Sequence, residues 1–228
     1  MIQKGKTYYF LGIGGIGMSS LAKHLFDLGN KVMGYDKTPS AITSNLADMG
    51  IPVVFETSIS AIPEDFCQQD TQVIYTPAVP SEHPQFQFFR TQGNVIKKRA
   101  VVLGEITKNS IVFAIAGTHG KTTTASFLTQ LFAHLNLEFT AFLGGIMNQY
   151  QSNIIQKGSR YSIVEADEYD RSFLQLYPDF ACITAMDVDH LDVYGDHANM
   201  KKAFVKFSKR VTQKMVVAEG VDLNGISY

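Results

Sequence analysis

Residues Ala116-Gly117-Thr118-His119-Gly120-Lys121-Thr122-Thr123-Thr124 set a glycine-rich turn between an apolar, β-branched run at 110–115 and a segment carrying Phe127, Leu128, Leu131, Phe132 and Leu135. The run before the turn has the composition of a buried strand, and the spacing after it is that of an amphipathic helix. Strand, glycine turn and helix in that order present backbone N–H groups and a helix N-terminus to phosphate oxygens. A lysine at the end of the turn reaches the β/γ-phosphates, and the hydroxyl that follows reaches Mg²⁺. Gly117, Thr118, His119, Gly120, Lys121, Thr122 and Thr123 are therefore candidate contacts for a nucleoside triphosphate. The longer phosphate-loop pattern asks for glycine five positions before Gly120, where Ile115 stands, so the match is to the shorter Gly-Thr-x-Gly-Lys-Thr form.

The first half opens in the same way. A short apolar strand at 7–11 runs into Gly12-Ile13-Gly14-Gly15-Ile16-Gly17, after which Leu21, Leu25 and Leu28 recur at helical spacing and Gly29-Asn30 supplies a stop. A second strand at 31–36 ends in Asp36. Gly-x-Gly-x-x-Gly with an acid about 20 residues on is the dinucleotide fingerprint, which literally means NAD with Asp36 on a ribose hydroxyl. Its physical content is narrower: a diphosphate can come close to a helix N-terminus, and both NAD and UDP-sugars carry one. A tight turn with close helix packing and no ligand is the structural alternative.

Further strand-like runs at 52–55, 72–76 and 94–97 alternate with helical segments around 42–49 and 84–91. That alternation implies a parallel, doubly wound α/β sheet, with ligands at the carboxyl ends of its strands. Thr76-Pro77-Ala78-Val79-Pro80 closes one such strand, as a ligand loop or as an ordinary proline turn. A helix over 100–107 leads to Lys108-Asn109, where the domain boundary is placed, giving domains 1–107 and 108–228. Farther on, Leu143-Gly144-Gly145 reads as a turn. A strand at 161–164 exits into Glu165-Ala166-Asp167-Glu168-Tyr169-Asp170, and one at 180–186 into Asp187-Val188-Asp189-His190-Leu191-Asp192. Two acidic strand exits on the edge that carries Lys121 suit Mg²⁺, which favours hard oxygen ligands. Met200, Phe204, Phe207 and Val211 then mark a core-packed helix with a basic outer face, followed by a strand at 215–218.

Composition narrows the partners. A net charge of −1, with no lysine or arginine run that stands out, gives no footprint for nucleic acid or an anionic membrane. No run approaches the roughly 20 apolar residues of a membrane span, and the N-terminus lacks a signal-peptide pattern, so a cytoplasmic location is expected. Cys67 and Cys182, far apart, suggest neither a disulfide framework nor a zinc site, and the surroundings of Cys182 suggest an inert thiol.

With Gly12 to Ser20, Asp36, Thr76 to Pro80, Gly117 to Thr124, Glu165 to Asp170 and Asp189 to Asp192 in this order, the sequence resembles the Mur ligase family of ATP-dependent amide-forming enzymes of cell-wall precursor synthesis. The resemblance implies a Rossmann-like parallel-sheet N-terminal domain followed by a phosphate-loop α/β central domain. It implies ATP and Mg²⁺, with catalytic roles for Lys121 and His119 and a metal held by Thr122, Glu165 and His190. Gly12, Gly14, Gly15, Ile16, Gly17, Asp36, Thr76 and Ala78 would hold a UDP-sugar in place of a dinucleotide. His119 and the glycine-rich first domain look like the members acting on UDP-N-acetylmuramate itself, and Arg171-Ser172-Phe173-Leu174 after the acidic cluster looks more like those that add alanine, so L-alanine is the implied second substrate. Members attaching a whole tripeptide to the same acceptor are the near alternative. An NAD-dependent oxidoreductase and a non-catalytic UDP-sugar-binding module are the alternatives of other classes. Many relatives carry Asn where Ala185 stands, and some use a modified lysine near Lys201, Lys202 and Lys206. The family's third, C-terminal domain is expected to be missing, which leaves the central domain incomplete and the fragment inactive alone. Oligomeric state is left open.

Overall fold

The computed structural model describes residues 4–187 and 194–223. The chain divides into two compact units, Met1–Val102 and Leu103–Tyr228, and the division falls inside a helix.

In the first unit, β1 (Thr7–Leu11), β2 (Lys31–Tyr35), β3 (Val53–Val54), β4 (Gln72–Tyr75) and β5 (Ile96–Lys98) form one sheet in the order β3-β2-β1-β4-β5. Every pairing is parallel. The connections carry α1 (Ile16–Asp27), α2 (Ala41–Asp48) and α3 (Pro84–Thr91). Strands buried on both faces read as continuous apolar runs, and Tyr9, Phe10 and Leu11 are fully buried. Tyr9, Leu11, Met33, Tyr35, Val73 and Phe89 share one cluster. The Tyr9 hydroxyl donates to Gln85 Oε1 at 2.9 Å, which satisfies a polar tip inside that core, and burial pushes its pKa well above the ordinary value. Strand order runs outward in both directions from β1, so the carboxyl ends of β1 and β4 are neighbours at the point where such sheets bind ligands.

Helix α4 (Arg99–Thr107) spans the division. A Cβ at Gly104 would approach the Gln175 carbonyl carbon to 3.1 Å, so its second half packs within the second unit. That unit holds β6 (Ile111–Ala116), α5 (Lys121–His134), β7 (Phe139–Met147), β8 (Ser152–Gln156), β9 (Tyr161–Glu165), β10 (Phe180–Ile183), α6 (His197–Ser208) and β11 (Lys214–Val217). The sheet order is β11-β10-β6-β9-β7-β8, and only the β7–β8 pairing is antiparallel among the described residues. Alternation along β6 splits the core. Val112, Ala114 and Ala116 face Phe173, Phe204 and Phe207, whereas Ile115 faces Ala125, Phe132 and Phe139.

Three sequence expectations change. Leu143-Gly144-Gly145 is no turn but the interior of β7, where missing side chains leave room for the Glu165 carboxylate. The strand expected over 180–186 ends at Ile183, because the residues beyond it bond to the phosphate loop. On α5, Phe127, Leu131 and Leu135 are 73%, 51% and 56% exposed, and Ala125, Thr129 and Phe132 face inward instead. Both cysteines are free and half-buried, and burial raises both thiol pKa values.

Candidate phosphate-binding sites

At the end of β6 the chain turns through Gly117 (φ +132°) and Gly120 (φ +81°), conformations that L side chains rarely adopt. A Cβ at Gly117 would also lie 2.8 Å from the Ala185 nitrogen. The segment after β10 braces the loop from beneath. Thr184 Oγ1 donates to the carbonyls of Ala116 and His119, Thr118 N–H donates to the Ala185 carbonyl at 3.1 Å, and Asp187 N–H donates to Thr118 Oγ1 at 3.0 Å. Ala185 thus meets the loop through its backbone. The His119 ring is exposed and lies 3.9 Å from the Asp187 carboxylate, also exposed, so that pair adds little.

Parallel pairing of β6 with β9 sets Ile115 opposite Glu165 and brings the acidic exit of β9 beside the loop. Thr122 Oγ1 donates to Glu165 Oε1 at 2.8 Å, and Gly144 N–H donates to Glu165 Oε2 at 2.6 Å. Lys121 Nζ donates to Glu168 Oε1 at 2.9 Å, Glu168 Oε2 at 2.8 Å and the Gly117 carbonyl at 2.6 Å. The Glu168 side chain is 0% exposed and that of Lys121 15%. Glu168 was not singled out in the sequence, where it is one carboxylate of four in a run; only its depth distinguishes it. Beneath it the Tyr194 hydroxyl donates to the Glu168 carbonyl at 2.6 Å, and burial, with the Glu168 charge adding to it, pushes that hydroxyl up to about 12.

A hard oxygen pair from Thr122 and Glu165 at the loop end suits Mg²⁺, which is commonly held by one or two protein groups together with substrate phosphates. Among the described residues no cluster of three or more His, Cys, Asp or Glu forms a metal cage. His190 lies outside the described residues. Of the lysines on α6, Lys201 pairs with Asp222 at 2.5 Å.

In the first unit the glycine loop closes on Asp36. Gly14 N–H donates to Asp36 Oδ2 at 2.7 Å, and a Cβ at Gly14 would sit 2.8 Å from that oxygen. Gly12 (φ +88°) passes Thr76, whose Cγ2 would be 2.6 Å from an added Cβ. Gly12 and Ile13 N–H groups both donate to the Tyr35 carbonyl, and Gly15 caps α1, whose first residue is Ile16, without a side-chain bond. Gly12, Gly14, Asp36 and Thr76 therefore meet at the carboxyl edge, with Gly15, Ile16 and Gly17 at the mouth of α1; Ala78 is exposed on the neighbouring loop. The Arg99 guanidinium lies over Gly17, with Nη1 2.8 Å from where a Cβ would stand. It brings positive charge to a helix start, which nothing in its sequence neighbourhood announced.

The parallel sheets, glycine loops and braced Lys121 turn define a phosphate-loop α/β protein with a Rossmann-like first unit. Residues 7–110 match the Mur ligase family's catalytic domain and residues 115–223 its middle domain, and the chain belongs to that family. It is 50% identical over 221 residues to a UDP-N-acetylmuramate–L-alanine ligase of Flavobacterium psychrophilum, covering 96% of this chain and 49% of the relative. The crystal structure of a UDP-N-acetylmuramate–alanine ligase from Thermotoga maritima superposes with a TM-score of 0.85 at 32% identity, covering 96% of this chain and 50% of that one. The UDP-N-acetylmuramate:L-alanyl-γ-D-glutamyl-meso-diaminopimelate ligase from Neisseria meningitides shares the fold, with a TM-score of 0.87 at 22% identity, covering 96% and 73%. The chain spans about half the length of the curated relatives it matches. Among the described residues no helix is long and apolar enough to cross a membrane.

Proposed function

We propose that this chain is the nucleotide- and acceptor-binding part of a cytoplasmic, ATP-dependent ligase that joins L-alanine to the carboxylate of UDP-N-acetylmuramate in peptidoglycan precursor synthesis. The observation that carries the reading is the convergence of Lys121, Thr122 and Glu165 on one glycine turn, in a chain half identical to a ligase of that name. The acceptor's carboxylate attacks the γ-phosphate of ATP, forming an acyl phosphate and releasing ADP. The α-amine of alanine then adds to the acyl carbon, and phosphate leaves as the amide forms.

Phosphoryl transfer of this kind asks the protein for position and charge rather than covalent chemistry. Lys121 binds the transferring phosphate. The Thr118 N–H is spent on the Ala185 carbonyl, so the other N–H groups of the 117–122 turn are the ones that would meet its oxygens, and Gly117 and Gly120 let the backbone come close. Thr122 and Glu165 would hold Mg²⁺, which would supply positive charge to offset that of the phosphates. The loop of 12–17, with Asp36, Thr76 and Ala78, takes the UDP portion; the N–H groups of Gly14 and Thr38 already use both Asp36 oxygens, at 2.7 and 3.3 Å, so the carboxylate shapes the loop and offers only its remaining lone pairs to the ribose. His119 stands at the exposed rim of the triphosphate site.

The test is calorimetric titration of the chain with UDP-N-acetylmuramate, with MgATP and, separately, with NAD. Saturable binding of the UDP-sugar and of MgATP, with no heat from NAD, is expected. Binding of NAD alone would overturn the proposal and restore the literal reading of the glycine fingerprint.

A further inference from the structure

An ammonium has three N–H groups, and three protein oxygens stand within 2.9 Å of Lys121 Nζ: the Gly117 carbonyl and both oxygens of Glu168. A phosphate can therefore reach this lysine only by taking the place of one of them. We infer that Glu168 is an internal counter-charge, a positioning residue that competes with the incoming phosphate for Lys121 and keeps the loop from retaining nucleotide too tightly. The inference rests on the proposed triphosphate site.

Burial makes the competition strong. With one partner fully buried and the other nearly so, the pair is screened far less than a surface ion pair. Glu168 is also held where it is. Its carbonyl accepts from Tyr194 Oη at 2.6 Å and from Arg171 N–H at 2.9 Å. The next turn carries two consecutive non-glycine residues in the left-handed region, Asp170 (φ +51°) and Arg171 (φ +55°). Such conformations persist only where the surroundings enforce them. The backbone that carries the carboxylate is thus held, and the carboxylate itself is fully buried, while the longer lysine stem reaches the open side of the turn, so it is the ammonium that moves towards phosphate. Glu168 does this separately from Glu165, whose oxygens accept from Thr122 and Gly144. A carboxylate beside the phosphate also repels it, so removing the charge but not the shape strengthens nucleotide binding. A pair that served only to hold the loop together would give the opposite sign.

The experiment is titration of wild-type chain, Glu168→Gln and Lys121→Gln with the magnesium complex of the non-hydrolysable ATP analogue AMP-PNP. Glu168→Gln is expected to bind about tenfold more tightly than wild type, and Lys121→Gln more weakly. Equal or weaker binding by Glu168→Gln, with wild type still binding in a Lys121-dependent way, overturns the inference and leaves the triphosphate site standing. Absence of binding by wild type overturns both. Should Glu168→Gln not fold, a crystal structure of the wild-type chain with the magnesium complex of AMP-PNP decides. Nζ drawn off at least one Glu168 oxygen supports the competition, and Nζ still on both overturns it.

Discussion

Thr122 Oγ1 donates to Glu165 Oε1 across 2.8 Å, joining two residues 43 positions apart, while the Gly144 N–H holds the other carboxylate oxygen at 2.6 Å. The proposed metal carboxylate is therefore oriented by α5 and β7 before a cation arrives. Glu165→Ala should weaken the Mg²⁺-dependent part of ATP binding by at least ~10-fold, the lower end of the range for groups that tune a metal site. Gly144→Ala should act in the same direction, because its Cβ would lie 2.6 Å from Glu165 Oε1. ATP titrations at several Mg²⁺ concentrations check both, and an unaltered Mg²⁺ dependence in Glu165→Ala would remove that residue from the metal site.

Lys121 and Glu168 form a desolvated pair, so loss of one partner strands the other. Lys121→Met should destabilise the second unit by ~3–5 kcal/mol at neutral pH, the cost of leaving a buried charge without its partner. The double variant Lys121→Met/Glu168→Leu should recover most of that loss, since replacing a buried pair by apolar groups is often nearly neutral. Urea denaturation of the three proteins tests this. A double variant no more stable than Lys121→Met would mean that the pair contributes something its burial does not explain.

Much of the fold was legible because a parallel sheet buries both faces and writes its strands as apolar runs: β1 and α3 fall on the residues the patterns mark, and both glycine loops follow strands. Helix α5 was not, because it has two apolar stripes and spacing does not say which one faces the sheet. The close approach behind the phosphate loop selects the smaller set, Ala125 and Thr129 with Phe132, and leaves Phe127, Leu131 and Leu135 outside. Leu131→Gln should therefore change stability by no more than ~0.5 kcal/mol, whereas Phe132→Ala should cost ~3–5 kcal/mol. Thermal melts that ranked them the other way would contradict this packing. In the candidate sites, the loop residues were legible as motifs. Glu168 and Arg99 were not, since their places depend on register and burial, which a short motif does not encode.

Gly12 combines a positive φ with a neighbour too close for a methyl group, so two separable costs meet there. Gly12→Ala should lose ~1–3 kcal/mol of stability from the left-handed conformation alone, and more from the contact with Thr76 Cγ2 at 2.6 Å. Adding Thr76→Ser removes that methyl and should restore the second part only. UDP-N-acetylmuramate affinity should fall in Gly12→Ala, because the loop cannot keep its path past Thr76. Stability and affinity measured for both variants check the division, and full recovery in Gly12→Ala/Thr76→Ser would show that φ carries no cost.

His83 is buried against the Tyr35 ring, centroid to centroid 4.4 Å, and neither ring nitrogen has a hydrogen-bond partner among the described residues. Burial lowers its pKa below the usual 6.5. The folded chain thus takes up this proton at lower pH than the unfolded chain does. The neutral ring's contribution to stability is fully present above about pH 6.5, the unfolded value, and is lost as pH falls from there towards the folded value. His83→Phe keeps the ring packing and removes the titration. Its unfolding free energy should fall less steeply than wild type below pH 6.5, by up to about 1.4 kcal/mol per pH unit, the linkage of one proton. Parallel stability curves for the two proteins between pH 7 and pH 5 would mean that His83 titrates alike in both states, and that its burial is relieved before the proton arrives.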